Sequence, residues 1–197
     1  MRKLSRWVLR LIGWRMEGQL PGPKCVLIGA PHTSNWDFPI GMLLFWSLDL
    51  DARWVAKHTI FRWPIRGLLR ALGGIPLDRT NTENFVNQMV ERFANSERLV
   101  FALAPEGTRK HTDYWRSGFY WIAHGASVPI ALAYADYARK VGGIGPSFMP
   151  SGDIDSDMEK IRAFYADKVG KHPEKLGTIR LRSEVEGSNA STAAPGA

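Results

Sequence analysis

The sequence predicts a single α/β domain with a mixed, mostly buried sheet flanked by helices and an amphipathic helix in front of it. Three observations carry this reading. Short apolar runs, KCVLIGA at 24–30 and LVFALA at 99–104, are continuous rather than alternating, as strands buried on both faces are. Segments of helical periodicity lie between these runs, so strands and helices alternate along the chain. The 197 residues, with 45% hydrophobic and 23% charged, suit one globular core, and no repeat or linker divides them.

Taken in order, residues 1–18 open with a helical pattern. At about 100° per residue, Leu4, Trp7, Val8, Leu11, Ile12 and Trp14 share one face and Arg2, Lys3, Arg6 and Arg10 the other. A basic face beside an aromatic-rich apolar one suits a helix lying on a membrane, with docking on the domain as the alternative. Arginines interrupt the apolar part and no small-residue cleavage site follows, which argues against a signal peptide. No apolar stretch approaches the roughly 20 residues of a spanning helix.

Residues 19–182 form the domain. A strand over Lys24–Ala30 leads to a helix capped by Asn35 or Thr33 and running to about Ser47. A strand over Arg53–Lys57 precedes a helix over Phe61–Leu72 that ends at Gly73-Gly74. Ile75–Leu77 is extended, Glu83–Asn95 helical and Leu99–Ala104 a strand. A helix over Arg116–Gly125, a strand over Val128–Tyr134, a hairpin to Phe148 with glycines at its turn, and a helix over Asp153–Val169 complete it. The small polar tail, residues 183–197, is expected to be disordered.

Composition narrows function. The formal net charge of +7 favours anionic partners. Nucleic acid is disfavoured, because the basic residues are dispersed and no RNA- or DNA-binding pattern occurs. The single Cys25 permits no intrachain disulfide and reads as a buried strand residue. His58, His111, His124 and His172 lack metal-ligand spacing, so no metal is expected.

Chemistry concentrates at three corners. HTSNWD at 32–37 follows the first buried strand. Asp37 could turn back to His32, fix its tautomer and leave a general base, or the same residues could simply cap the next helix. On these residues alone both readings stay open. PEGTR at 105–109 follows another buried strand and offers a glycine turn and an arginine fork suited to phosphate. GGIPLDR at 73–79 delivers a second arginine after a glycine turn.

With VPI at 128–130, these pieces in this order resemble the glycerolipid and lysophospholipid acyltransferase superfamily, of the 1-acylglycerol-3-phosphate acyltransferase type. The matching positions run from Val26 to Leu132, with departures at Pro31, Pro76 and Ala104. The resemblance implies a glycerol-3-phosphate-acyltransferase-like fold with His32 as general base and Asp37 as its orienter. It implies acceptor binding by Lys57, Arg79, Glu106, Gly107, Thr108 and Arg109. The expected activity is acyl transfer from acyl-CoA or an acyl carrier protein to a lysolipid hydroxyl, with no other cofactor. The expected acceptor is 1-acylglycerol-3-phosphate, and an amino-acid-containing lysolipid or a glycolipid is the alternative. A peripheral position on an anionic membrane surface, at its cytoplasmic face, follows from the same resemblance.

Overall fold

The computed structural model describes residues 1–77 and 82–185, without the side chains of 82 and 83. Its strands are β1 (Arg15–Glu17), β2 (Lys24–Gly29), β3 (Ala52–Lys57), β4 (Gly74–Leu77), β5 (Leu99–Leu103), β6 (Ile130–Asp136) and β7 (Val141–Phe148). Its helices are α1 (Arg2–Leu11), α2 (Asp37–Ser47), α3 (Arg66–Ala71), α4 (Thr82–Ala94), α5 (Gly118–Gly125) and α6 (Ile154–Tyr165). The strands form one sheet in the order β1-β7-β6-β2-β5-β3-β4. Only β6–β7 pair antiparallel, so the sheet is mixed, as the sequence predicts.

Period-two alternation explains why the central strands are apolar throughout. Val26 and Ile28 of β2 face a core shared with α4, α5 and α6, where Phe93, Phe119, Tyr120 and Ile161 are buried. Cys25 and Leu27 face the opposite side, packing with Met42 of α2, Phe61 and, less deeply, Leu69 of α3. Leu9 and Trp14 join Ile40 and Leu44 there, which docks α1 onto α2. One helical layer is thus α1–α2–α3 and the other α4–α5–α6. Each fully buried Val, Leu or Ile stabilises this arrangement by about 1.5–3 kcal/mol.

Several elements differ from expectation. Helix α3 begins at Arg66 because the residue before Pro64 is biased away from helical backbone. Neither Asn35 nor Thr33 caps α2; Trp36 stands at its N-cap without a side-chain bond, and the Thr33 hydroxyl accepts from His172 N at 3.1 Å. The hairpin glycines lie within β7, and its turn is formed by Tyr137 to Lys140. A Cβ on Gly143 would stand 1.9 Å from the Glu17 carbonyl oxygen, so glycine there lets β1 join the sheet. The disordered-tail expectation lies outside the described residues from 186 onward.

The N-terminal segment is helical to Leu11 and then turns through Gly13, whose φ is +78°, into β1. That turn carries Trp14 inward, away from the face the periodicity gives it. Leu4, Trp7, Leu11 and Ile12 remain exposed, while Ser5 and Leu9 form the docking side and Arg6 Nε donates to Ser47 O at 3.1 Å. Among the described residues no helix is long and apolar enough to cross a membrane.

Candidate active site

Strands β2, β5 and β6 lie side by side and end together, the place where open α/β sheets bind ligands. His32 leaves β2 three residues beyond its end, and α2 starts at Asp37. Between them the chain folds back: Asp37 Oδ2 accepts from Ser34 N at 2.9 Å, and Ser34 Oγ accepts from Trp36 N at 3.1 Å. This brings His32 Nδ1 to 3.1 Å from Asp37 Oδ2. The fold-back of the chain before α2 and the His–Asp pair are therefore one structure.

Both carboxylate oxygens of Asp37 are held, since Tyr137 OH donates to Oδ1 at 2.8 Å. Tyr137 follows β6, hydrogen-bonds Val169 O through its own N–H, and meets the Trp14 ring edge-on with centroids 5.1 Å apart. Burial alone would raise the Asp37 carboxyl, but the bonds from His32, Ser34 and Tyr137 outweigh it and hold the carboxyl below its usual range. Burial, together with that donor bond to a carboxylate, pushes the Tyr137 phenol well above its ordinary range, so it stays a donor.

Glu106 arrives from the end of β5. Its two oxygens accept from His32 N at 3.0 and 3.2 Å, fixing the backbone that carries the imidazole. Burial raises its carboxyl and the His32 N–H bond only partly opposes this. Gly107 has φ +65°, a left-handed conformation that glycine adopts without strain, and it turns the chain toward Arg109. Arg109 Nη1 donates to the Asn35 side-chain oxygen, tying the PEGTR corner to the HTSNWD corner. Thr108 Oγ1 accepts from Lys110 N at 3.1 Å.

Under this polar cluster lies an apolar cavity of about 370 Å³ between α2 and the sheet. His32, Asn35, Asp37 and Arg109 stand in its wall together with Met42, Phe45, Leu48, Trp54, Leu69 and Ile144. A second cavity of about 390 Å³ reaches Lys57 and Gly107 from the α4–α5 side. Of the eight sequence-derived site residues, the structure brings His32, Asp37, Glu106 and Arg109 together beyond the ends of β2 and β5, while Lys57, at the end of β3, and Gly107 line the neighbouring cavity. Thr108 serves the turn between them, and Arg79 lies outside the described residues. Asn35, expected to cap α2, instead accepts from Arg109, and no local pattern marks Tyr137, which is 100 residues from the carboxylate it holds.

Cys25 is no rival nucleophile, since burial pushes its thiol up to about 12. Among the described residues no group of three or more His, Cys, Asp or Glu side chains is placed to hold a metal ion.

A His–Asp pair thus stands at the strand ends of a mixed α/β sheet, in the wall of an apolar cavity. The chain belongs to the Acyltransferase family, whose model matches residues 15–135, and it is an acyltransferase. The fold is also that of a solved relative, the 1-acyl-sn-glycerophosphate (LPA) acyltransferase PlsC from Thermotoga maritima. That structure aligns with a TM-score of 0.55 at 16% sequence identity, over 84% of this chain and 74% of the other. No curated protein matches the sequence.

Proposed function

We propose that the protein moves a fatty acyl group from a thioester, acyl-CoA or an acyl carrier protein, to the free hydroxyl of a lysolipid, 1-acylglycerol-3-phosphate. The observation that carries this reading is the His32–Asp37 pair, 3.1 Å apart, in the wall of the 370 Å³ apolar cavity. With Nδ1 held by the carboxylate, Nε2 is the nitrogen left to act as base. It takes the proton of the acceptor hydroxyl as that oxygen attacks the thioester carbonyl. Collapse of the tetrahedral intermediate breaks the C–S bond, and the imidazolium returns the proton to the leaving sulfur. No acyl-enzyme and no cofactor beyond the thioester are required.

We assign the cavity to the acyl chain, and the acceptor headgroup to Lys57, Gly107, Thr108 and Arg109, with Arg79 from the sequence motif joining them. Glu106, expected at the headgroup, is proposed to position the base, because both of its oxygens are engaged by His32 N. The exposed Leu4, Trp7 and Leu11 of α1, with Arg2, Lys3 and Arg10 on the same helix, suit a peripheral position on an anionic membrane surface, at the cytoplasmic face.

The test is acyl transfer from labelled acyl-CoA and acyl carrier protein to a panel of lysolipids. Product on 1-acylglycerol-3-phosphate supports the assignment. Product only on an amino-acid-containing lysolipid or a glycolipid would keep the chemistry and overturn the acceptor. No product with any pair would overturn both.

A further inference from the structure

The exposed apolar side chains are not confined to α1. Residues 62–68 are exposed without a break, and within them Trp63 is 91% exposed, Leu68 60% and Ile65 49%. Helix α3 is nevertheless well seated: Leu69 and Leu72 pack into the core beneath it, and Leu69 also walls the apolar cavity. The segment therefore has an apolar inner side that is satisfied and an apolar outer side that is not.

Charge says what covers the outer side. Arg62, Arg66 and Arg70 flank it, and none of them forms an ion pair among the described residues. From Ala52 to Leu77 the sequence contains no Asp or Glu. A second copy of this face would set arginine against arginine in a two-fold interface, which like-charge contact disfavours. An anionic bilayer offers the complement, phosphates for the arginines and interfacial depth for the indole. Helix α1, on the other flank of α2 in the same layer, has the same composition: Leu4, Trp7 and Leu11 exposed, and no Asp or Glu from Met1 to Met16.

We propose that the outer face of residues 61–72, led by Trp63, Ile65 and Leu68 and ringed by Arg62, Arg66 and Arg70, is a second contact with an anionic lipid surface, separate from α1. It extends the lysolipid acyltransferase reading: two feet on the bilayer, either side of α2, bring the cavity wall formed by Leu69 next to the lipid that supplies the chain. The enzyme's acyl substrates then pass between bilayer and cavity with little exposure to water.

The experiment is vesicle co-sedimentation of the whole protein, with phosphatidylcholine vesicles and with vesicles of equal parts phosphatidylcholine and phosphatidylglycerol. The combined Trp63→Ser, Ile65→Ser, Leu68→Ser protein, altered only at exposed positions and so expected to unfold at the wild-type temperature, should bind mixed vesicles about tenfold or more weaker. The Arg62→Gln, Arg66→Gln, Arg70→Gln protein, which keeps the basic residues of α1, should show a clearly reduced preference for phosphatidylglycerol. Brominated lipid should quench wild-type fluorescence more than that of Trp63→Phe. Wild-type binding by the serine variant, or equal quenching of the two proteins, overturns the proposal. So does a wild-type dimer that the serine variant dissociates while vesicle binding stays unchanged. Vesicle binding needs no turnover, so a failure here and a failure of the acyltransferase reading are separate results.

Discussion

Tyr137→Phe is a clean perturbation of the site, because phenylalanine keeps the ring against Trp14 and removes only the hydroxyl that donates to Asp37 Oδ1 at 2.8 Å. A hydrogen bond to a charged group contributes about 1.5–3 kcal/mol, and with the Asp37 side chain only 8% exposed little water can replace it. A loss of about 1.5 kcal/mol lowers the melting temperature by about 3–6 °C in a chain of this size. This difference should shrink in acid, where protonation of Asp37 weakens the bond in the wild type. For the reaction, a carboxylate held at one oxygen can rotate and aligns His32 less well. About 1.4 kcal/mol of that loss in the transition state is a tenfold fall in kcat. The assay is steady-state acyl transfer well below the unfolding temperature, with KM for both substrates expected to stay near wild type. An unchanged kcat, or a rise in KM alone, would refute the idea that Tyr137 acts by holding Asp37.

Other predictions follow from neighbouring residues. A Cβ at Gly41 meets nothing within 4 Å and Gly41 lines the acyl cavity, so Gly41→Leu should shift donor preference to shorter chains in a chain-length series. Glycine is about 1 kcal/mol poorer than alanine inside a helix, so that variant should be at least as stable as wild type by thermal melting. Glu106→Ala leaves the half-buried His32 N–H without its acceptor and should cost about 1 kcal/mol in denaturant unfolding. Glu106 has a raised folded pKa, so its favourable contribution is present at low pH and is lost as pH rises through that pKa; Glu106→Gln, which keeps the acceptor, should gain stability at neutral pH. Asp37 has a lowered folded pKa, so its contribution is full above the ordinary carboxylate range and is lost as pH falls through it; Asp37→Asn should flatten that part of the acid-unfolding curve.

The parts of this fold that could be read from sequence are those where local signal and tertiary need coincide. Strands β2 and β5 are apolar on both faces because helices cover both, so they stand out as runs. Strand β4 shows in the sequence only as the short extended piece Ile75–Leu77, and β1, of three residues at the opposite sheet edge, carries no run; β1 exists because Gly143 leaves room for it. The β7 glycines look like a turn but serve close approach, and Trp14 leaves its helical face because the chain turns at Gly13. At the site, His32, Asp37, Glu106 and Arg109 sit in two short motifs and were legible. Tyr137 and the Asn35–Arg109 tie were not, since only the sheet brings the ends of β2, β5 and β6 together.

The central claim is that the corner after β2 does chemistry, with His32 as its base. Acyl transfer from a labelled thioester to 1-acylglycerol-3-phosphate, measured with wild type and His32→Ala, tests it most directly. Removing a positioned general base should slow transfer by about 10²–10⁴-fold with the fold intact, as judged by an unchanged near-ultraviolet dichroism spectrum. A His32→Ala protein that transfers as fast as wild type would show that the corner only shapes the chain before α2 and that the base lies elsewhere.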